Sequence, residues 1–224
     1  DLIENKLAMW NNLAARLAPI TLSHDEDEFR WNLDPAGVFS VKSHYWGLIS
    51  QNVLNVNKKL WKLKLPLKIK IFIWYIRCGI ILTKDNLAKR NWQGNQQCCF
   101  CHENETIQHL FLDCSFARMA WATVYMAWGL RQPTSISNMF GSWLNGILKH
   151  HKSLIMVGAA AMCWSVWLCR NDAVFENKQS NFLHIIYRTM HWLRTWATLQ
   201  HATSQEALVA ASRWLERVAK DFFT

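Results

Sequence analysis

One stretch constrains this chain more than any other: CCFCHENETIQHLFLDC, residues 98–114. It gathers four of the seven cysteines and two of the nine histidines into 17 positions. Within it, Cys98, Cys101, His109 and Cys114 follow the spacing C-x2-C-x7-H-x4-C. Two cysteines separated by two residues can both point inward from a tight turn. A His and a Cys from the next short element then complete a tetrahedron. Three thiolates and one imidazole suit a single zinc ion in a closed structural site. Such a site leaves no coordination position for water, so metal-assisted hydrolysis is not implied. Cys99 and His102 are spare donors. A C-x-C pair with Cys101 would have a tighter bite, and His102, directly after a ligand, would have to fold back. Weaker alternatives are cysteines that merely pack, and a redox C-x-x-C, which lacks the surrounding strand–helix alternation. The segment HENETIQ between Cys101 and His109 has no core of its own, so metal binding would supply its ordering energy. Glu105 within it could cap or hydrogen-bond near a ligand.

The other cysteines, Cys78, Cys163 and Cys169, lie in apolar surroundings and read as small buried hydrophobes. An odd count with one cluster argues against a secreted disulfide scaffold. No secretory signal is visible at the N-terminus. An intracellular site, nuclear or cytoplasmic, is therefore expected. The chain opens on Asp1, which reads as a piece cut from a longer protein. Residues 153–169 contain no charge, at the lower limit for a membrane span. Ser, Gly and Cys dilute that run, so a helix buried in a protein core is expected and no membrane partner.

The rest of the chain reads as mainly α: a bundle-like array of helices with one small β-hairpin and a CCHC zinc knuckle. NKLAMWNNLAARL suits a short amphipathic helix, and HDEDE at 24–28 a solvated acidic loop. Phe29, Trp31 and Leu33 alternate with polar residues, DPAG supplies turn chemistry, and Phe39 and Val41 follow; this predicts the hairpin. Ser40 can cap a helix over 41–49. NVLNVN at 52–57 reads as a loop. Pro66 suits the first turn of a helix to about Arg77, and Thr83 the N-cap of another over 84–90. Helices are expected over 115–128, 139–149, 153–171, 181–200 and 204–222. RQPTSISN at 131–138 is the best linker candidate. The expected organisation is an N-terminal helix and acidic loop (1–28), a zinc-binding domain (29–129), and a helical C-terminal region (130–224) that could pack on the first.

The charge balance is basic, 25 Lys and Arg against 16 Asp and Glu, formally +9. That favours acidic partners, nucleic acid foremost. Lys58, Lys59, Lys62, Lys64, Lys68 and Lys70 are interleaved with Trp61, Leu63, Leu65 and Phe72. With Arg77, Lys84, Lys89 and Arg90 they flank the Cys/His cluster. Lysines supply phosphate contacts without sequence preference. Trp92 is the aromatic placed to stack on an unpaired base. The competing reading is amphipathic solubility, because Lys62 and Lys64 alternate with apolar neighbours. No glycine-rich phosphate loop and no local nucleophile motif is present, so no small-molecule substrate is expected.

Four motifs in order, GVFSVKSHY (37–45), LWKLKLPLKIKIFIW (60–74), LTKDNLAKRNW (82–92) and the Cys/His cluster with Glu105 and His109-Leu110-Phe111, resemble the zinc-binding domain of reverse transcriptases. That domain occurs in plant LINE-type (non-LTR) retrotransposon polyproteins. The resemblance covers about residues 29–121. CWSVWLCRNDAVFENK, 163–178, is similar to the helical linker that often follows the domain, after which a ribonuclease H domain can come. The polymerase signature of paired aspartates is absent, as are strand-borne carboxylates for a ribonuclease H metal site. The resemblance thus implies a non-catalytic module of a protein whose parent would be an RNA-directed DNA polymerase. It would carry one structural zinc and handle RNA or DNA alongside the rest of the polyprotein. The competing function is a protein-interaction scaffold or domesticated relic in which the zinc is purely architectural.

Overall fold

The computed structural model describes residues 2–19, 29–48, 59–179 and 181–223. The acidic run at 24–28, the loop at 52–57 and Lys58 lie outside the described residues. The chain divides into two units, residues 1–50 and 51–224.

In the first unit, α1 (Leu2–Leu17) leaves Leu7, Trp10, Leu13 and Leu17 exposed. The DPAG turn forms. Trp31 N–H donates to the Gly37 carbonyl at 2.8 Å, and Gly37 N–H to Asp34 at 2.9 Å. Gly37 has φ +72°, the left-handed region open to glycine. The expected hairpin does not follow from it: no strand leaves this turn. Ser40 explains why. Its hydroxyl accepts from Ser43 N–H at 3.0 Å and starts α2 (Val41–Leu48), so Val41 is helical and the second arm is too short. Trp31 turns to the helix instead, donating Nε1–H to Ser43 Oγ at 2.9 Å and meeting Phe39 edge-on. A two-stranded hairpin has little stability of its own to resist such competition.

The second unit is helical. Leu63 and Leu65 are buried while the alternating Lys62 and Lys64 are exposed. Pro66 then starts α3 (Leu67–Arg77), whose Ile69, Phe72, Ile73 and Ile76 fall at helical spacing and are buried together. α4 (Lys84–Ala88) is one short turn. A five-residue π-helical turn, His109–Asp113, leads into α5 (Ser115–Trp128), which ends on left-handed Gly129. The helix expected over 139–149 is displaced. Ser135 caps α6 (Ile136–Phe140) by accepting from Asn138 N–H. Gly141 ends it, and turns run to Ile147 with Gly146 at φ +84°. The N-cap lay inside the segment read as a linker, and two glycines stop the helix early.

Three long helices complete the unit: α7 (Lys149–Phe175), α8 (Phe182–Ala197) and α9 (Ala202–Phe223). Asn181 and His184 form a reciprocal capping box at the start of α8. One core runs through the whole unit, from Leu60 and Phe72 through Phe111 and Trp121 to Trp196 and Leu215. α7 is long and apolar enough to cross a membrane by length and composition, and 56% of its apolar window is buried within the fold. Cys163 and Cys169 are buried on it as expected. Cys78 is not: it follows the last residue of α3 and is exposed. Among the described residues no strand occurs, only the isolated bridge Gln97–Asn104.

Candidate metal centre

The bridge at Gln97–Asn104 closes the C-x2-C loop. Cys98 N–H donates to the Glu103 carbonyl at 2.7 Å, and Glu105 N–H to the Gln96 carbonyl at 2.9 Å. Inside the loop, Phe100 N–H points at the Cys98 sulfur, 3.5 Å away. The second half of the site comes from the π-helical turn. Thr106 Oγ1 accepts from His109 N–H at 3.0 Å, and Cys114 N–H closes the turn on the His109 carbonyl at 2.7 Å. On an α-helix, residues five apart point about 140° away from each other. The wider turn, with extended backbone at Cys114, brings both side chains to one side.

The ligand atoms of Cys98, Cys101, His109 and Cys114 all lie within 4.8 Å of one another. Cys98 Sγ and Cys114 Sγ are 3.9 Å apart, Cys114 Sγ and Cys101 Sγ 4.0 Å, and Cys101 Sγ and His109 Nε2 3.1 Å. Tetrahedral zinc with Zn–S of about 2.3 Å requires S–S edges of about 3.8 Å. The donor set and its spacing therefore fit one zinc ion. Cys99 and His102 are not in the group. Without metal the sulfurs hold protons. Cys114 is pushed up first by its hydrogen bond with Cys98 and then by burial. Cys98 is pushed up to about 12: its hydrogen bond with Cys114 pulls it down, but the Cys99 hydrogen bond and burial together outweigh that. Burial raises Cys101 as well. Zinc must displace these protons to bind.

Glu105 is fully buried. Its carboxylate accepts from Lys84 N–H at 2.9 Å, and its carbonyl from Asp85 N–H at 3.2 Å. It thus caps α4, where Thr83 occupies the N-cap position but its side chain makes no capping bond. The same carboxylate meets Arg170 of α7, with Nη2 2.8 Å from Oε1 and Nε 3.3 Å from both oxygens. Sequence reasoning missed Arg170. The available signal was a lone cation closing an uncharged helical run: on a buried helix face it must have a partner.

The predicted nucleic-acid residues are not equivalent. Lys59, Lys62, Lys64, Lys68, Lys89 and Arg90 are exposed, and of these Lys68 and Lys89 also have a partner. Lys68 lies 5.3 Å from the Trp164 ring centroid, and Lys70 donates to the Trp61 carbonyl at 2.9 Å. Lys84 donates to the Gln97 carbonyl, and Lys89 pairs with Asp85 at 3.6 Å. Trp92 is 39% exposed and its ring lies across Gly94.

A closed Cys3His site on a helical frame defines a structural zinc-binding module. Residues 39–121 match the family described as zinc-binding in reverse transcriptase. Over those residues the chain is similar to that zinc-binding domain, and its Cys3His group could hold one zinc ion. A relative in Arabidopsis thaliana, named "Putative ribonuclease H protein At1g65750", is 26% identical over 143 residues, 60% of this chain. The match spans only 23% of that protein's length. No solved structure matches the chain.

Proposed function

We propose that this is a non-catalytic module of a retrotransposon-derived reverse transcriptase protein that helps hold RNA or DNA. The observation that carries the reading is the exposed set Lys59, Lys62 and Lys64 on a chain of formal charge +9 that also carries the zinc domain. Leu60, Leu63 and Leu65 are buried, which leaves the neighbouring lysines facing outward. Phosphate neutralisation would make binding salt-dependent and sequence-tolerant. The remainder of a reverse transcriptase polyprotein would be its structural partner. The relative's name, with its reference to ribonuclease H, supports that context.

The test is binding of single-stranded RNA across a salt series. Each single-strand phosphate contact contributes about 0.7 to the slope of log affinity against log salt. Replacing Lys59, Lys62 and Lys64 by Gln is expected to reduce that slope by about 2. An unchanged slope, or no binding at low salt, rejects the reading. A protein-interaction scaffold is the second reading, favoured by the exposed Leu7, Trp10, Leu13 and Leu17 of α1. Self-association or partner capture without nucleic acid would select it.

A further inference from the structure

Among the described residues, Glu105 and Arg170 form the one ion pair with both side chains buried, 0% and 3% exposed. A buried pair is weak support for stability, because two charges leave water to make it. Its placement is the informative feature. Glu105 lies in the short span between the ligands Cys101 and His109, and Arg170 lies 65 positions further on, in α7.

We infer that this pair couples zinc loading to the C-terminal helices, with Arg170 acting as a positioning residue for a metal clasp it never touches. Bonds that shape the clasp bracket Glu105 on both sides. Before it, its own N–H holds Gln96, two residues from Cys98. After it, Thr106 takes His109 N–H on its hydroxyl and Leu110 N–H on its carbonyl. Fixing the Glu105 side chain therefore fixes the loop in a pose ready for metal. The other end is equally constrained. Arg170 Nη1 donates to Asn171 Oδ1 at 3.2 Å, and its guanidinium lies 5.0 Å from the Trp167 ring centroid. Trp167 in turn meets Phe72 of α3.

Removing zinc frees the cysteines and His109, and with them the loop that carries Glu105. The carboxylate can then reach water, but Arg170 cannot follow without disturbing α7. An unpaired buried guanidinium is left on α7 beside Trp167, on a helix whose apolar residues share one core with α8. Apolar contacts would weaken gradually as the loop frayed, whereas a buried pair fails as a unit. Linkage makes the effect reciprocal: if zinc stabilises the distal helices, their Arg170 must raise zinc affinity by the same factor. This holds whether or not the module binds nucleic acid.

Two measurements test it on the full chain. Zinc affinity is read by competition with a chromophoric chelator. Amide hydrogen exchange of α8 and α9 is read with zinc and after chelation. Arg170→Met is expected to lower zinc affinity by about 10- to 100-fold, the range for partners that orient metal ligands. Arg170→Lys keeps the charge but loses the planar fork, and should recover only part of that loss. Chelation should speed exchange in α8 and α9 of the unaltered chain. In the apolar double variant Glu105→Leu/Arg170→Met it should leave them unchanged. A merely structural Arg170 would lower the thermal midpoint equally with and without zinc and leave zinc affinity unmoved, which overturns the proposal. So does α8–α9 exchange in the unaltered chain that ignores chelation. Where Arg170→Met does not fold, Arg170→Lys and exchange in the unaltered chain decide the matter.

Discussion

Between Gln96 and His109 the chain buries only Cys98 and Glu105, and its order comes from backbone hydrogen bonds, one ion pair and converging ligand atoms. From Lys149 to Phe223 the means are reversed. α8 alone buries Ile185, Ile186, Met190, Leu193 and Trp196, and α9 adds Leu208, Leu215 and Val218. The helices are held by apolar area removed from water, which is non-directional and spread over many side chains. The knuckle is held by a few directional bonds around a site that could take one ion. One region should therefore fail by chemistry at a single point, the other by loss of packing.

The largest expected effect breaks the knuckle. Cys101→Ser or His109→Ala should abolish zinc binding, read by elemental analysis of protein prepared under reducing, chelator-free conditions. Structural zinc in finger peptides contributes about 10–16 kcal/mol of apparent folding free energy, so these losses exceed any single side chain. The helices offer the matching test. Trp196→Ala should cost about 3–5 kcal/mol in denaturant unfolding, yet leave one zinc per chain.

pH should separate the two regions in opposite directions. Cys98, Cys101 and Cys114 all bind protons more tightly than an ordinary thiol when metal is absent. Zinc affinity should therefore fall as pH falls, which a chelator titration at several pH values would show. In α7, burial pushes Cys163 from 9.0 up to about 12. Its stabilising contribution is complete below pH 9 and is lost as pH rises through about 12. Cys163→Ala should flatten alkaline unfolding over that window. The smallest effect belongs to Cys99→Ser, which should keep its zinc and shift stability by no more than about 0.5 kcal/mol.

Much of this difference is legible in the residues. Apolar periodicity locates α3, α5, α8 and α9 because each helix is defined within its own few turns. The ligand spacing identifies the zinc site because all four donors fall in 17 residues. The hairpin failed where two local signals competed for the same residues and Ser40 won by capping a helix. The helix expected at 139–149 failed because Ser135 and Gly141 reset both its ends. Cys78 was read from its apolar neighbours alone, but its position past the end of α3 left it exposed.

The sequence by itself determined the cluster of candidate donors and the helical character, since ligand spacing and helix periodicity are both local properties. Only the tertiary structure decided what surrounds them. It showed which lysines also have a partner in Trp164, Asp85 or a backbone carbonyl. It also gave Glu105 its partner across 65 positions. No local pattern carries such a pairing. It exists because folding removes both charges from water, and each is then tolerable only where the other lies within reach.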